Sequence, residues 1–275
     1  MSHWRLIRGE HGVLASLASA ASYIVTGGRE LEAALLLAAS TFLAEAALFA
    51  HNDVANLEED RLNRPGAPLV TGAVSLSAAK AVALGSAVLG AVFAYLLGPA
   101  PLLIYLTALA LGAAYNAKLK RVPLAGNFVV AFLTSMTYIY GMSAAGKYSQ
   151  VLFLLFASSL AANLGRELVK TAMDYEGDLR AGAKTLAALI GPAKTAAAGS
   201  YITTASVPLG VLLAYFSTSS GYYALAAGAA ATSALLLYYS AQALRGRWAA
   251  YRTGTLVAFS VTLVALLGEA LWRLF

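Results

Sequence analysis

The chain has 275 residues, of which 60% are hydrophobic against about 45–50% in soluble domains, and only 12% are charged. With a mean hydropathy of +0.70 and 24 Gly but only 7 Pro, this excludes a disordered chain, a coiled coil and a soluble enzyme of this length, and predicts an all-α polytopic membrane protein. The absence of Cys excludes a disulfide framework and a cysteine nucleophile, and the net charge of +6 belongs to membrane loops rather than to nucleic-acid binding.

A span across a hydrocarbon core about 30 Å thick needs about 20 apolar residues, or fewer inside a bundle. In chain order, runs at 12–27, 31–51, 78–97, 99–115, 124–145, 151–170, 195–216, 222–244 and 253–274 qualify, the first and fourth being short. They predict nine transmembrane helices in a single bundle, with residues 1–275 as one domain. The first run follows Arg5 and Arg8 and continues without a small-residue cleavage site, so it reads as a retained span rather than a signal peptide. Alternating nine spans from a cytoplasmic N-terminus puts 16 of the 19 Lys and Arg inside, against Arg29, Lys147 and Arg273 outside. That asymmetry predicts a multi-pass cell-membrane protein with its N-terminus in the cytoplasm.

The acids are more concentrated than loop solvation requires. Of 13 Asp and Glu, four lie within 53–60 and four within 167–178, at the cytoplasmic ends of the second and sixth predicted helices. If the second helix runs on, Asn52, Asp53, Asn56 and Asp60 share one face; Asn163, Glu167, Lys170, Asp174 and Asp178 form a second polar stripe. Stacked carboxylates at i, i+4 destabilise a helix unless a cation compensates, and hard oxygen ligands suit Mg²⁺. The matched placement, about 120 residues apart, hints at a four-helix pseudo-repeat. Two such clusters facing each other could hold a diphosphate through metal ions. The plainer alternative is that these acids pair with Arg61, Arg64, Arg180 and Lys184.

These residues resemble the UbiA superfamily of intramembrane prenyltransferases. Asn52-Asp53 with the spaced acid, then Asn63-Arg64-Pro65 and Gly72, is similar to its first signature, and Asp174-Tyr175-Glu176-Gly177-Asp178 with Lys184-Thr185-Leu186 and Gly191 to its second. One position departs: Asn56 stands where the family commonly has Asp. Arg166-Glu167, Lys170, Tyr115, Lys118, Lys120 and Gly126-Asn127 look most like the archaeal branch that makes digeranylgeranylglyceryl phosphate. The resemblance implies a bundle with a central cavity open toward the cytoplasm, and Mg²⁺-dependent transfer of a geranylgeranyl group from its diphosphate to geranylgeranylglyceryl phosphate in ether-lipid biosynthesis.

On the matching positions, the resemblance implies Asp53, Asn56, Asp60, Asp174 and Asp178 as metal ligands, with Asn52 among the catalytic groups. Arg64, Lys118, Lys120, Arg121 and Lys170 are the expected phosphate-binding cations, Arg64 and the 118–121 group serving the acceptor phosphate. Tyr115 is the first choice among aromatic faces, with Tyr138 and Tyr140, that would steady an allylic cation. Glu45, costly in an apolar run, is a candidate cavity residue, and His51 a supporting group beside Asn52. Two alternatives stay open here: an aromatic prenyltransferase acting on 4-hydroxybenzoate or a related quinone precursor, and a cation or organic-anion transporter. Composition does not resolve the oligomeric state.

Overall fold

The computed structural model describes residues 1–180 and 182–274. In chain order its helices are α1 (Ser2–Leu6), α2 (Gly9–Val25), α3 (Leu31–Ala55), α4 (Leu57–Asn63), α5 (Leu76–Leu97), α6 (Pro99–Ala117), α7 (Ala125–Ala144), α8 (Gln150–Met173), α9 (Tyr175–Arg180), α10 (Leu186–Ile190), α11 (Pro192–Ser219), α12 (Tyr223–Leu244) and α13 (Trp248–Leu274). A 3₁₀ turn, Leu119–Arg121, follows α6. Among the described residues the nine long helices cover the nine predicted runs. Seven of them are long and apolar enough to cross a membrane; α2 and α7 are the other two. The difference has a physical basis. α2 has only 17 residues, and the polar Asn127, Thr134, Ser135, Thr137 and Ser143 lower the hydropathy of α7; the two pack on each other.

The long helices form a closed circuit. α3 packs on α5, which leads through α6 to α7; α7 meets α8, which packs on α11; α12 and α13 follow, and α13 returns to α2. Apolar association alone cannot hold helices together in lipid, so close approach matters. At the α8–α11 crossing, Gly165 and Gly199 face each other: a Cβ on Gly199 would sit 2.5 Å from the Gly165 carbonyl oxygen. Helix starts follow local chemistry. Ser75 and Ser149 cap α5 and α8 by accepting backbone N–H bonds from Ala78 and Leu152, and Gly98-Pro99 and Gly191-Pro192 open α6 and α11.

Neither acidic stripe lies on an unbroken helix. α3 ends at Ala55, with Asn56 in a non-helical conformation (φ −106°, ψ 14°) before α4; α8 ends at Met173, with Asp174 (φ −86°, ψ 2°) before α9. Asn and Asp compete with the backbone through their own side chains, which favours such breaks. Backbone bonds still carry across both: Asp60 N–H donates to Asn56 O at 2.8 Å, and Asp178 N–H to Asp174 O at 3.0 Å. The two breaks therefore present Asn56 with Asp60, and Asp174 with Asp178, in the same local geometry.

Candidate active site

The first acidic segment is knitted to arginine. Asp53, buried at 1% exposure, receives Arg64 Nη1 on Oδ1 at 3.2 Å, and Arg64 also donates to Asp60 Oδ2 at 3.3 Å. Arg8, held in a left-handed conformation at the start of α2, reaches the same Asp53 oxygen at 3.6 Å and lies over the Phe49 ring. Asp53 Oδ2 is buried and, among the described residues, has no hydrogen-bond partner. On the next turn Lys120 donates to Asn56 Oδ1 and to Glu59 Oε2 (2.6 Å), while Arg121 takes Glu59 Oε1 at 2.8 Å. The Lys120 hydrogen bond holds the Glu59 carboxyl below its ordinary range, with Arg121 helping. Asn52 donates to Asn116 Oδ1 at 2.6 Å, and Asn116 donates to His51 Nδ1 at 2.8 Å.

The second segment is different. Among the described residues neither Asp174 nor Asp178 enters a salt bridge. Burial and then the neighbouring Asp174 push the Asp178 carboxyl up, opposed by a hydrogen bond with Thr185. Glu167 is shared by Arg166 (3.3 Å) and Lys170 (3.6 Å), and Asn127 of α7 ties to α8 through Thr171 Oγ1 at 2.8 Å.

Two adjoining cavities bring the segments together. One, of about 430 Å³, is lined by Arg8, Asn52, Asn56, Asp60, Arg64 and Glu45 among others; the other, of about 160 Å³, by Asp174, Asp178 and Thr185. Tyr115, Lys120, Val130, Glu167 and Lys170 line both. The larger falls within the roughly 300–1,000 Å³ of small-molecule sites. Among the described residues, some expected groups lie off these walls. Lys118 is exposed at the end of α6 and lines neither cavity, Arg121 is 69% exposed on Glu59, and Asp53 sits behind Arg64. Tyr140 is buried against Ser40, and Tyr138 lines a separate cavity with Ser159 and Thr232. Arg8 and Asn116 are the groups that motif reading missed, while Asn127 and Thr185 stood in the quoted motifs without a role; only the fold brings Arg8 to Asp53, 45 positions away.

The donor set suits a divalent cation. It consists of carboxylate and amide oxygens, with one buried carboxylate oxygen left without a partner. Among the described residues no three acidic or His side chains gather closely enough to cage a metal alone. Mg²⁺ does not need such a cage: it binds through one or two carboxylates, waters and substrate phosphate oxygens.

A multi-pass helical bundle with an acid- and cation-lined cavity at one end defines a class, the intramembrane enzymes that handle anionic substrates with apolar tails. The chain belongs to the UbiA prenyltransferase family, whose model matches residues 13–263, and is accordingly a prenyltransferase. It is 35% identical, over 70% of its length and 69% of the relative's, to a digeranylgeranylglyceryl phosphate synthase of Methanoculleus marisnigri. A solved structure of a digeranylgeranylglyceryl phosphate synthase in membranes superposes with a TM-score of 0.81 at 25% identity, covering 98% of both chains. A UbiA homolog from Archaeoglobus fulgidus, solved with GPP and Mg²⁺, shares the fold at 19% identity, with a TM-score of 0.79 over 100% of this chain and 99% of that one. Family membership displaces the transporter alternative.

Proposed function

We propose that this chain transfers the geranylgeranyl group of its diphosphate to a hydroxyl of geranylgeranylglyceryl phosphate in ether-lipid biosynthesis, with Mg²⁺ as cofactor and a cytoplasmic N-terminus. One observation carries the reading: the two helix breaks present Asn56 with Asp60, and Asp174 with Asp178, to adjoining cavities that share Lys120, Lys170 and Tyr115. The curated relatives named for this synthesis supply the acceptor. The concentration of Lys and Arg on alternate loops supports the orientation.

Asp60, Asp174 and Asp178, with Asn56, would hold the metal, while Asp53 behind them positions Arg64 and Arg8. When bound, Mg²⁺ neutralises charge on the diphosphate leaving group. The chain's own cations then divide into two sets. Lys120, Lys170 and Arg8 bind the diphosphate oxygens, whereas Arg64, bridging Asp53 and Asp60 on the same cavity wall, and Arg121, on Glu59, chiefly hold acids in place. Asn52, fixed by Asn116, orients the diphosphate. As the C1–O bond breaks, its electron pair leaves on the diphosphate; the Tyr115 face steadies the positive allylic carbon. The glyceryl hydroxyl oxygen forms the new C–O bond and passes its proton to an oxygen of the departed diphosphate. Walls such as Leu48, Phe49, Val130 and Leu133 keep water from competing.

An acceptor panel tests the assignment. Purified protein with geranylgeranyl diphosphate and Mg²⁺ should prenylate geranylgeranylglyceryl phosphate and lose turnover in EDTA. Prenylation of 4-hydroxybenzoate, with none of the glyceryl phosphate, would overturn the lipid acceptor and leave an aromatic prenyltransferase.

A further inference from the structure

The reaction cavity has a neighbour on the outer face of the bundle. A groove of about 300 Å³ lies between α3, α5 and α6, and Leu48 lines both concavities. Its walls are apolar, including Ala47, the exposed Leu84 and the exposed Ala113. The exceptions are His51, near the end of α3, and Lys80, in the second turn of α5; both sit toward the end of the bundle that holds the reaction cavity. Among the described residues Lys80 enters no salt bridge. His51 accepts on Nδ1 from Asn116, whose oxygen already accepts from Asn52, which leaves Nε2 as the ring's donor.

An apolar slot closed at one end by an ammonium and an imidazole N–H complements one hydrocarbon chain that ends in a phosphate. A neutral lipid would leave Lys80 unmatched. A bulk anionic lipid would satisfy the charge, but gives no reason for the slot to share Leu48 with the reaction cavity or to be bridged to it through His51, Asn116 and Asn52. Gly112 adds to the link: it lines the reaction cavity, and Leu48 packs where its Cβ would stand. We propose that the α3–α5–α6 groove is the docking site for the single-chain glyceryl phosphate acceptor, its phosphate on Lys80 and His51 and its chain along Leu84 and Ala113. The identity of the occupant rests on the functional reading above. Leu48 is then the partition the acceptor passes on its way to the donor.

The test measures binding of radiolabelled geranylgeranylglyceryl phosphate to the full chain in phosphatidylcholine nanodiscs, without donor or Mg²⁺, beside steady-state turnover. Lys80→Ala should weaken acceptor binding and raise its KM by roughly tenfold, as loss of one charge-assisted phosphate contact implies, with the KM for geranylgeranyl diphosphate unchanged. Lys80→Arg should restore both. Ala113→Phe fills the groove from an exposed position, so it should weaken acceptor binding without lowering the melting temperature. Equal acceptor binding by the wild type, Lys80→Ala and Ala113→Phe overturns the groove. Displacement of the label by equimolar phosphatidylglycerol overturns the acceptor as its occupant. A wild type whose acceptor binding depends on Lys80, yet which transfers no prenyl group to that acceptor, overturns the functional reading and leaves the groove standing; no binding at all overturns both.

Discussion

Asp53 and Asp178 carry the same functional group in opposite electrostatic settings, and their substitutions should separate accordingly. Removing Asp53 leaves Arg8 and Arg64 facing each other without their shared carboxylate. Breaking a fully buried pair costs about 3–5 kcal/mol; with these arginines 31% and 41% exposed, Asp53→Ala should cost roughly 2 kcal/mol as well as activity, read by urea unfolding beside turnover. Asp178 has no such partner, and its folded carboxyl titrates above the ordinary Asp range. A group so raised favours folding below its unfolded value, and that contribution is lost as pH rises through the folded value. Charged Asp178 therefore burdens the metal-free protein at neutral pH. Asp178→Asn should hold or slightly raise the melting temperature at pH 7 without Mg²⁺, while turnover falls about 100-fold or more with loss of a metal ligand. A lowered melting temperature would show that Asp178 does structural work. Burial also raises Asp60, so protons should compete with Mg²⁺ from above the ordinary carboxylate range. The Mg²⁺ concentration for half-maximal rate should climb as pH is lowered from 7 toward 5; a flat profile would place both residues off the metal.

At the scale of elements, the helix breaks do more than end a span. On a straight helix Asp60 would follow the α3 axis; after the break at Asn56 it folds against Arg64 and the cavity. The residue types were legible as a polar stripe, but periodicity alone cannot distinguish a continued helix from one that re-aims after an Asn or Asp. The α8–α11 crossing shows a second kind of element control. Gly165 and Gly199 let the two backbones touch, and the same helix α8 carries Glu167, Lys170 and the break at Asp174. Gly199→Ala has no room for its methyl group unless the helices part. It should destabilise the protein by about 1–3 kcal/mol and lower turnover through displaced Lys170, without changing which acceptor is used. Wild-type unfolding and kinetics in that variant would show the crossing to be looser than the structure has it.

For the whole molecule, the orientation rests on charge placement and can be read directly, because the chain contains no Cys. Single variants Lys118→Cys and Lys184→Cys should react with a membrane-impermeant maleimide only from the cytoplasmic side, and Arg29→Cys and Lys147→Cys only from outside. The reverse pattern would invert the protein and place the active site on the outer surface. The closed circuit of helices also explains how one end of the bundle becomes the site. α4 and the C-terminal ends of α3, α6 and α8 meet the N-terminal end of α7 there, so five elements line the two adjoining cavities while their remaining lengths meet lipid or one another.

The sequence by itself determined the membrane class, the nine helical segments and the two acidic segments, because each of these is set by residues close together in the chain. Hydropathy is summed over about 20 neighbours, and the stripes repeat within a few turns. What only the tertiary structure decided is which charges meet. Asp53 could as well have faced solvent, Lys118 the cavity and Arg8 a loop; their roles depend on packing between helices far apart in sequence. Arg8 comes to Asp53 because α2 packs on α3, and Lys120 comes to Asn56 and Glu59 because α6 ends beside the α3 break. Lys118, two positions earlier, is turned outward by the same end of α6. Lys and Arg are scattered in loops along this whole end of the molecule, so composition marks the end but not the ligand. Selecting among those cations takes distances across the bundle, which no local pattern encodes.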